Sequence, residues 1–257
     1  MERNFPNKFG TYFEPFLGGG AVMFHMLSKS PNLKCHVSDL NSDLILAYIA
    51  IRDKVDELIE SLEDHSKKYQ KNSNHYYYNV REAEPTSQIE KVSRFIFLNK
   101  TCFNGLYRVN SKGKFNVPLG RYTNPNIVNK ENLLAVSKIL QSVDIEFFCR
   151  DFEAILHDSK KGDFVYFDPP YQPVSHTANF TSYTHRDFTE DDLGRLADVA
   201  NQLDSKGCYV MLSNSNSKTV KKSFSSGWKI KEISANRAIN SNSQKRTGHK
   251  EIIIKNY

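Results

Sequence analysis

Several features are scarce in this chain of 257 residues. No apolar run approaches the ~20 residues of a membrane-spanning helix, and the start, MERNFPNKFG, has no apolar signal core. The 4 cysteines, Cys35, Cys102, Cys149 and Cys208, are scattered without a close pair, which disfavours a metal site or a disulfide framework. These absences predict a cytoplasmic protein in a reducing compartment, with no membrane partner and no metal.

The charged residues are distributed unevenly. The formal net charge is +6, which permits a nucleic-acid partner without requiring one. Residues 94–122 contain no acid, and their basic residues alternate with Phe and Tyr. Two interpretations stay open for this stretch: a nucleic-acid surface, or a basic surface over a small aromatic core. Its basic residues are Arg94, Lys100, Arg108, Lys112, Lys114 and Arg121.

The two ends of the sequence alternate between strand and helix patterns. YFEPFLGGGAVMFHML predicts a strand, a glycine turn and a helix from about Ala21; KCHVSDLN predicts a strand ending on Asp39, followed by a helix over 42–62. Later, DIEFFCRDF, DFVYFDPPY, CYVMLSNS, WKIKEIS and KEIIIKNY predict strands, and Thr189 is a plausible N-cap of a further helix. This alternation predicts an α/β fold with a largely parallel sheet and helices on both faces.

The middle of the sequence, about residues 56–145, has a different pattern. It is predicted to be helical at both ends, and IEKVSRFIFLNK has the apolar spacing of a buried helix face. Between these ends, the turn signals Asn104-Gly105 and Lys112-Gly113 are flanked by alternating residues. They predict a hairpin or an extended loop.

Four signals follow predicted strands, where parallel sheets bind their ligands. The contiguous glycines of Phe16–Ala21 either bring the backbone close to a ligand or form a plain tight turn. Asp39 either accepts hydrogen bonds from a ribose diol or is the N-terminal acid of the following helix. Asp151 with Phe152 offers an acceptor and an apolar ring to an adenine.

The fourth signal is Asp168–Tyr171, at the end of an apolar strand. Pro169 and Pro170 fix φ and remove two backbone donors, while their carbonyls remain as acceptors. The segment therefore presents a rigid set of acceptors beside the flat ring of Tyr171. Such a set suits an exocyclic amine on a planar base, and it can orient the amine lone pair toward an electrophile. The alternative is a buried acid before a Pro-Pro stop, which is costly without a partner.

Five stretches, in order, carry a family resemblance: YFEPFLGGGA, SDLN, NGLYRVNSKGKFNVPLGRY, RDF and VYFDPPY. Together they closely resemble the Dam-like DNA adenine methyltransferases of the alpha class, D12 type, which are similar to type II restriction-modification adenine methylases. The resemblance runs from about Tyr12 to Tyr257. It implies a Rossmann-like, S-adenosylmethionine-dependent methyltransferase domain, residues 1–55 and 146–257, with an inserted, mostly helical target-recognition region, residues 56–145.

The resemblance implies methyl transfer from S-adenosylmethionine to the exocyclic amine of adenine in duplex DNA, yielding S-adenosylhomocysteine. The adenine would be flipped out of the stack. Its amine would bond Asp168 and the Pro169 carbonyl within the rigid Asp168–Tyr171 motif, which includes Pro170, and Tyr171 would stack on the base. The cofactor, lying beside Asp168, would be held by Glu14, Phe16, Gly18, Gly19, Gly20, Asp39, Asp151 and Phe152.

The resemblance also implies recognition of GATC sites. Arg108 would recognise guanine, a pairing that geometry favours, and Phe103 would act as a wedge. The implied DNA-binding set is completed by Asn104, Leu106 and Asn110, and by the phosphate-contacting Lys112, Lys114 and Arg121. The implied partners are double-stranded DNA and a cognate restriction endonuclease acting on the same site, and the chain is expected to be a monomer.

One departure from the family leaves alternatives open. Members usually carry a lysine-bearing K-W-x-G-G-K segment before the glycine turn, whereas here 15 residues precede Phe16 and nothing in them matches. We therefore expect weakened cofactor binding. The alternatives are a catalytically impaired DNA-binding relative, or an amino-methyltransferase acting on RNA or cytosine. The complete Asp168–Tyr171 motif favours catalysis, and the stretch around Arg108 favours duplex DNA.

Overall fold

The computed structural model describes residues 2–110, 112–171, 188–224, 227–235 and 249–257. Their core is a seven-stranded sheet with the order β3-β2-β1-β4-β5-β7-β6. The strands are β1 Tyr12–Glu14, β2 Cys35–Asp39, β3 Ile145–Cys149, β4 Phe164–Phe167, β5 Tyr209–Ser215, β6 Lys229–Ala235 and β7 His249–Lys255. The first five in spatial order run parallel, and β7 lies antiparallel between β5 and β6. The predicted α/β fold with a largely parallel sheet is confirmed.

The helices of the described residues follow the predicted order, with one correction. Residues 42–62 form two helices instead of one, because Lys54 leaves the helical conformation at φ −141° and ψ 40°. Thr189 caps its helix in a reciprocal capping box with Asp192, as its position predicted. The helices are α1 Ala21–Lys29, α2 Ser42–Asp53, α3 Val55–Lys71, α4 Ser73–Glu82, α5 Gln88–Thr101, α6 Lys130–Gln141, α7 Ile155–Asp158, α8 Glu190–Ser205 and α9 Lys218–Ser223.

The central strand β4 is buried on both faces. Phe164 and Tyr166 pack into one apolar cluster with side chains of α1 and α2, while Val165 and Phe167 pack into a second with side chains of α8. Complete burial of such side chains stabilises the fold by ~1.5–3 kcal/mol each. The continuous apolar run that precedes Asp168 therefore has a structural cause: helices cover the parallel sheet on both sides.

A third apolar cluster joins α3, α4, α5 and α6. Helix α2 contributes to two clusters: Ile45 and Tyr48 face the sheet, and Ala47 and Ala50 face the other helices. The break at Lys54 changes the chain direction, so that α3 packs in the third cluster instead of against the sheet. The apolar spacing of α2 and α3 was correctly predicted, but the spacing alone did not indicate that the two helices serve different clusters.

Residues 103–122, which we call the 103–122 segment, form the first part of the connection between α5 and α6. The segment begins with a 3-10 turn, Phe103–Gly105, and contains an isolated antiparallel bridge between Val109 and Phe115. A second bridge pairs Leu119 with Cys102, the residue just before the segment. This arrangement agrees with the predicted hairpin or extended loop.

The direction of chain winding reverses at the boundary between β1 and β4. Successive strands β1, β2 and β3 are added on one side of this boundary, and β4 and β5 on the other. Sheets of this kind bind ligands in the crevice outside the carboxyl ends of the two strands at such a reversal. Along the described ranges, no helix is long and apolar enough to cross a membrane. The same residues form no cluster of three or more His, Cys, Asp or Glu side chains placed to hold a metal ion.

Candidate functional site

The glycine turn lies at the end of β1, on one side of the crevice. Gly18 and Gly20 have φ values of 48° and 66°, in the left-handed region that favours glycine. A Cβ on Gly20 would lie 2.8 Å from the Tyr48 hydroxyl oxygen, so this position is also sterically restricted. A Cβ on Gly18 or Gly19 would meet nothing within 4 Å. The turn is therefore closed toward α2 and open above Gly18 and Gly19.

Asp39, at the end of β2, holds this turn in place. Its two carboxylate oxygens accept hydrogen bonds from the backbone N–H of Gly18 at 3.0 Å and of Asn41 at 2.9 Å. Burial raises the pKa of Asp39, and these backbone donors oppose the rise. The N-cap of α2 is Asn41, whose side chain accepts from Asp43 and Leu44, so Asp39 does not cap that helix. A backbone hydrogen bond from Leu40 also acts on Asp39, and a carboxylate with about four acceptor sites retains capacity for a ligand.

Asp151 and Phe152, which follow β3, both contact other parts of the protein. Asp151 Oδ1 accepts from the backbone N–H of Glu153 and from Arg195 Nη2, both at 3.0 Å. The Phe152 ring is 3 % exposed and stacks on Phe16 at a centroid distance of 5.3 Å. Core packing encloses the Phe152 ring, and the half-buried ring of the pair is Phe16.

Asp168 follows β4 on the other side of the crevice. Its Oδ1 accepts a hydrogen bond of 2.5 Å from Ser213 Oγ on β5. The residue reaches solvent, yet the protein packed around its carboxylate displaces water and raises its pKa. The Ser213 hydrogen bond opposes this rise, and the negative charge of Glu251 adds to it. The alternative of an enclosed structural acid is therefore not supported.

The rest of the Asp168–Tyr171 motif is also fixed by the protein. Pro169 is buried, and Pro170 and Tyr171 are half-buried. The Tyr171 hydroxyl donates to Glu251 Oε2 on β7 at 3.3 Å. Burial and the charges of Asp168 and Glu251 raise the pKa of Tyr171, so its hydroxyl stays protonated.

Glu14 adds a further carboxyl group to the crevice, beside those of Asp168 and Glu251. It ends β1, is 2 % exposed, and accepts a hydrogen bond from the Tyr12 hydroxyl at 2.8 Å. Burial raises the pKa of Glu14 to about 8, and the charge of Asp168 contributes to the rise. The negative charges of Asp168 and Glu251 make the electrostatic environment favourable for a cationic group, whereas burial favours the neutral form of Glu14.

Two residues of this site were missed in the sequence. Ser213 belongs to the polar end of CYVMLSNS, and it follows a buried run as Asp39 and Asp168 do, so the same signal pointed to it. Glu251 had no such signal, because it lies near the start of a strand. It reaches the crevice because β7 runs antiparallel to β5, with Glu251 paired to Ser215.

The 103–122 segment presents several side chains outward. Phe103 and Leu106 are 46 % and 45 % exposed, and Asn104 between them has a φ of 55°. Arg108 is exposed, and its Nε donates to Asn116 Oδ1 at 2.8 Å. The segment thus exposes two apolar side chains and a guanidinium close together in the chain.

Other predicted DNA-binding residues have local roles. Asn110 Oδ1 accepts from the backbone N–H groups of Lys112 and Lys114, so its side chain builds the turn. Lys114 pairs with Glu84 at 2.6 Å, while Lys112 and Arg121 are exposed. The aromatic-core interpretation is correct in part, because the rings of Phe97 and Phe115 are buried.

A cavity of about 330 Å³ lies behind the 103–122 segment. The Tyr107 hydroxyl, in its wall, donates to Asp43 Oδ2 at 3.3 Å. This contact connects the segment to the first turn of α2, close to Asn41 and Asp39. Other lining residues are Arg81, Glu84, Arg94 and Lys112.

Comparison with known proteins gives matches along most of the chain. Residues 1–239 match the model of the D12 class N6 adenine-specific DNA methyltransferases. The chain is 43 % identical to the type II methyltransferase M.MjaIII of Methanocaldococcus jannaschii, over 100 % of this chain and 93 % of that protein. It is 42 % identical to the type II methyltransferase M1.LlaDCHI of Lactococcus lactis subsp. cremoris, over 98 % and 88 %. It is 32 % identical to a DNA adenine methylase of Haemophilus influenzae, over 98 % and 87 %.

All three relatives are named for methyl transfer. The matches therefore do not favour the alternative of a relative that binds DNA without catalysis. The matched residues include the glycine turn, the 103–122 segment and Asp168–Tyr171, the three features that the sequence and the structure single out. The chain belongs to the D12 class of N6 adenine-specific DNA methyltransferases.

Proposed function

We propose that this chain transfers a methyl group from S-adenosylmethionine to N6 of an adenine that is flipped out of duplex DNA, within the sequence GATC. The observation that carries the proposal is the position of Asp168. It lies at the end of β4, next to the glycine turn at the end of the adjacent strand β1. Family membership supports adenine in DNA as the substrate.

The residues around the glycine turn fit S-adenosylmethionine, which supplies an electrophilic methyl group when bound. Space above Gly18 and Gly19 is open, so a ligand can approach the backbone there. Asp39 lies beside the turn and retains acceptor capacity for a ribose. Asp168 favours the positive charge of the sulfonium, and Glu14 adds a buried carboxyl just before the turn. Phe16 offers a half-buried ring, and Asp151 and Phe152 support it from behind.

The Asp168–Tyr171 motif fits the adenine amine. Asp168 Oδ1 is held by Ser213, which leaves Oδ2 to accept one amine hydrogen. The Pro169 carbonyl accepts the other, and Pro170 keeps the motif rigid. With both hydrogens bound, the nitrogen lone pair is oriented for attack, which is catalysis by positioning. Tyr171 stacks on the base, and the amine proton passes to the Asp168 carboxylate.

The 103–122 segment fits a DNA-recognition role. Phe103 and Leu106 are exposed apolar side chains that can wedge between base steps, as intercalating residues do. The polar Asn104 lies between them in the chain and assists. Arg108 carries the bidentate donor geometry that recognises guanine. Lys112, Lys114 and Arg121 bind phosphates, and Asn110 shapes the turn that presents them. The choice of GATC rests on the resemblance of this segment to Dam-like enzymes.

The division of labour follows from these positions. Residues 1–55 and 146–257 form the catalytic part, and residues 56–145 form the target-recognition part. We also propose a monomer, which size-exclusion chromatography would detect at 29.6 kDa. Two relatives are named type II methyltransferases, which supports protection against a restriction endonuclease of the same site as the biological role.

The test uses two duplexes of equal length and composition, one with a single GATC and one with that site scrambled. The chain is incubated with S-adenosylmethionine, and N6-methyladenine is measured by mass spectrometry. We expect product in the first duplex and none in the second. Product in both would contradict GATC while keeping the chemistry, and a methylated cytosine or no product at all would overturn the proposal.

A further inference from the structure

Ser213 lies at the centre of a hydrogen-bond chain beneath the catalytic motif. The residue is 1 % exposed and is the next position on β5 after Leu212, which pairs with Phe167. Continuing that register places Ser213 directly beside Asp168. Ser213 Oγ is 2.5 Å from Asp168 Oδ1 and 2.9 Å from the hydroxyl of Tyr166 on β4.

The direction of this chain follows from counting protons. A serine hydroxyl has one hydrogen, and the ionised Asp168 carboxylate can only accept, so Ser213 donates to Asp168. The Tyr166 hydroxyl must then donate to Ser213 Oγ. Tyr166 is 1 % exposed, and burial raises its pKa, which keeps this donor protonated.

Asp168 needs such a support because its surroundings would otherwise displace it. The other titratable groups that act on it are Glu14 on β1, Glu251 on β7, and the hydroxyls of Tyr166 and Tyr171. Burial and the negative charge of Glu251 raise the pKa of Asp168, which favours its protonation or its rotation toward solvent. Either change would remove the acceptor that the amine requires.

We propose that Ser213 is a positioning residue for methyl transfer, and that Tyr166 orients it by donating to its hydroxyl. This inference rests on the proposed role of Asp168. Ser213 touches neither the base nor the cofactor in this mechanism. It fixes one oxygen of the ionised Asp168 carboxylate and thereby directs the other oxygen toward the amine.

The test compares Ser213→Ala, Ser213→Thr and Tyr166→Phe with the unaltered protein. We expect Ser213→Ala to lower kcat by roughly 10–100-fold, as misplacement of a reacting group by about 1 Å does, with KM for DNA and Kd for cofactor within about threefold. Ser213→Thr keeps the hydroxyl and should recover most of kcat. Tyr166→Phe should lower kcat by about 3–10-fold, because Ser213 then loses its fixed orientation.

Two pH-dependent readouts separate positioning from a general structural role. The Ser213 hydrogen bond lowers the pKa of Asp168, so the acidic limb of kcat should move to higher pH in Ser213→Ala. The Asp168 carboxyl carbon, followed by NMR and assigned with Asp168→Asn, should titrate at higher pH in the same variant. The second readout requires no turnover.

The outcomes distinguish this inference from the proposed function. An unchanged kcat and an unchanged Asp168 titration in both Ser213→Ala and Tyr166→Phe would overturn the inference alone. Full activity of Asp168→Asn would overturn the proposed mechanism itself. If Ser213→Ala fails to fold, Tyr166→Phe still decides, since its buried ring remains in place.

Discussion

The crevice and the 103–122 segment prepare their polar groups in opposite ways. In the crevice, Asp39, Asp168 and Tyr171 each have a protein partner that fixes their orientation before any ligand arrives. In the 103–122 segment, Phe103, Leu106 and Arg108 are exposed, and the hydrogen bonds of Arg108 stay within the segment. The geometry of the crevice is therefore set by folding, whereas under the proposed function the geometry of the 103–122 segment is completed by the DNA.

The largest effect should come from breaking the crevice at Asp168. We expect Asp168→Asn to lower kcat by at least about 10³-fold, because the amide presents a donor in place of one acceptor and carries no charge. Duplex affinity should stay within a few-fold, since the proposed DNA contacts lie in the 103–122 segment. Asp198→Asn is the matched control, because Asp198 is an exposed aspartate on α8. Steady-state kinetics and fluorescence anisotropy give the two values.

Glu14 should reveal the energetic cost of a prebuilt crevice. Its folded pKa of about 8 lies above its unfolded value of 4.5, so the folded state binds the extra proton. The stabilising contribution of Glu14 is therefore complete below pH 4.5 and is lost as pH rises through 8. Glu14→Gln keeps the acceptor for Tyr12 and removes this dependence.

The measurement for Glu14 is urea unfolding of both proteins at several pH values between 5 and 8. The free energy of unfolding of the unaltered protein should fall relative to Glu14→Gln by at most about 1.4 kcal/mol per pH unit. A constant difference between the two proteins over this range would show that Glu14 is ionised throughout. The same substitution should leave DNA affinity unchanged.

Arg108 tests the recognition side of the comparison. Arg108→Ala should reduce discrimination at one guanine of the site by roughly 1–3 kcal/mol, because its donors would pair with that base. Arg121→Ala is the contrasting variant: it should weaken all duplexes alike and reduce the salt slope of binding by about one. Competition among duplexes substituted at each position measures both. Equal effects of the two variants on every duplex would remove Arg108 as the guanine reader.

Tyr107 should give the smallest effect, at the contact between the two regions. Its hydroxyl donates to Asp43 at 3.3 Å, a long hydrogen bond whose loss should cost at most about 1 kcal/mol. Tyr107→Phe should therefore weaken duplex binding by a few-fold and leave cofactor affinity unchanged. Calorimetric titration with each ligand separates the two. A larger loss of cofactor affinity would mean that the 103–122 segment also shapes the turn above Gly18.

The sequence predicted those parts of the site whose signal is local. Strand ends, the glycine turn and Asp168–Tyr171 each occupy one short stretch, and parallel pairing brings them to one edge of the sheet. Long-range packing decided the rest. The break at Lys54, the enclosure of the Phe152 ring and the engagement of Asp151 by Arg195 depend on elements far apart in the chain. The presence of Glu251 in the crevice could not be predicted without knowing that β7 runs antiparallel to β5.

The position of β7 between β5 and β6 has a consequence for biosynthesis. A ribosome makes the chain from its N-terminus, so Asp168 and Tyr171 emerge well before Ser213, and Glu251 emerges later still. β6 joins the sheet only through β7, and it must wait for that strand although it is made first. A nascent chain that already displays the catalytic motif therefore lacks the side chains that hold it. Under the proposed mechanism, methyl transfer would therefore require that β7 has paired with β5.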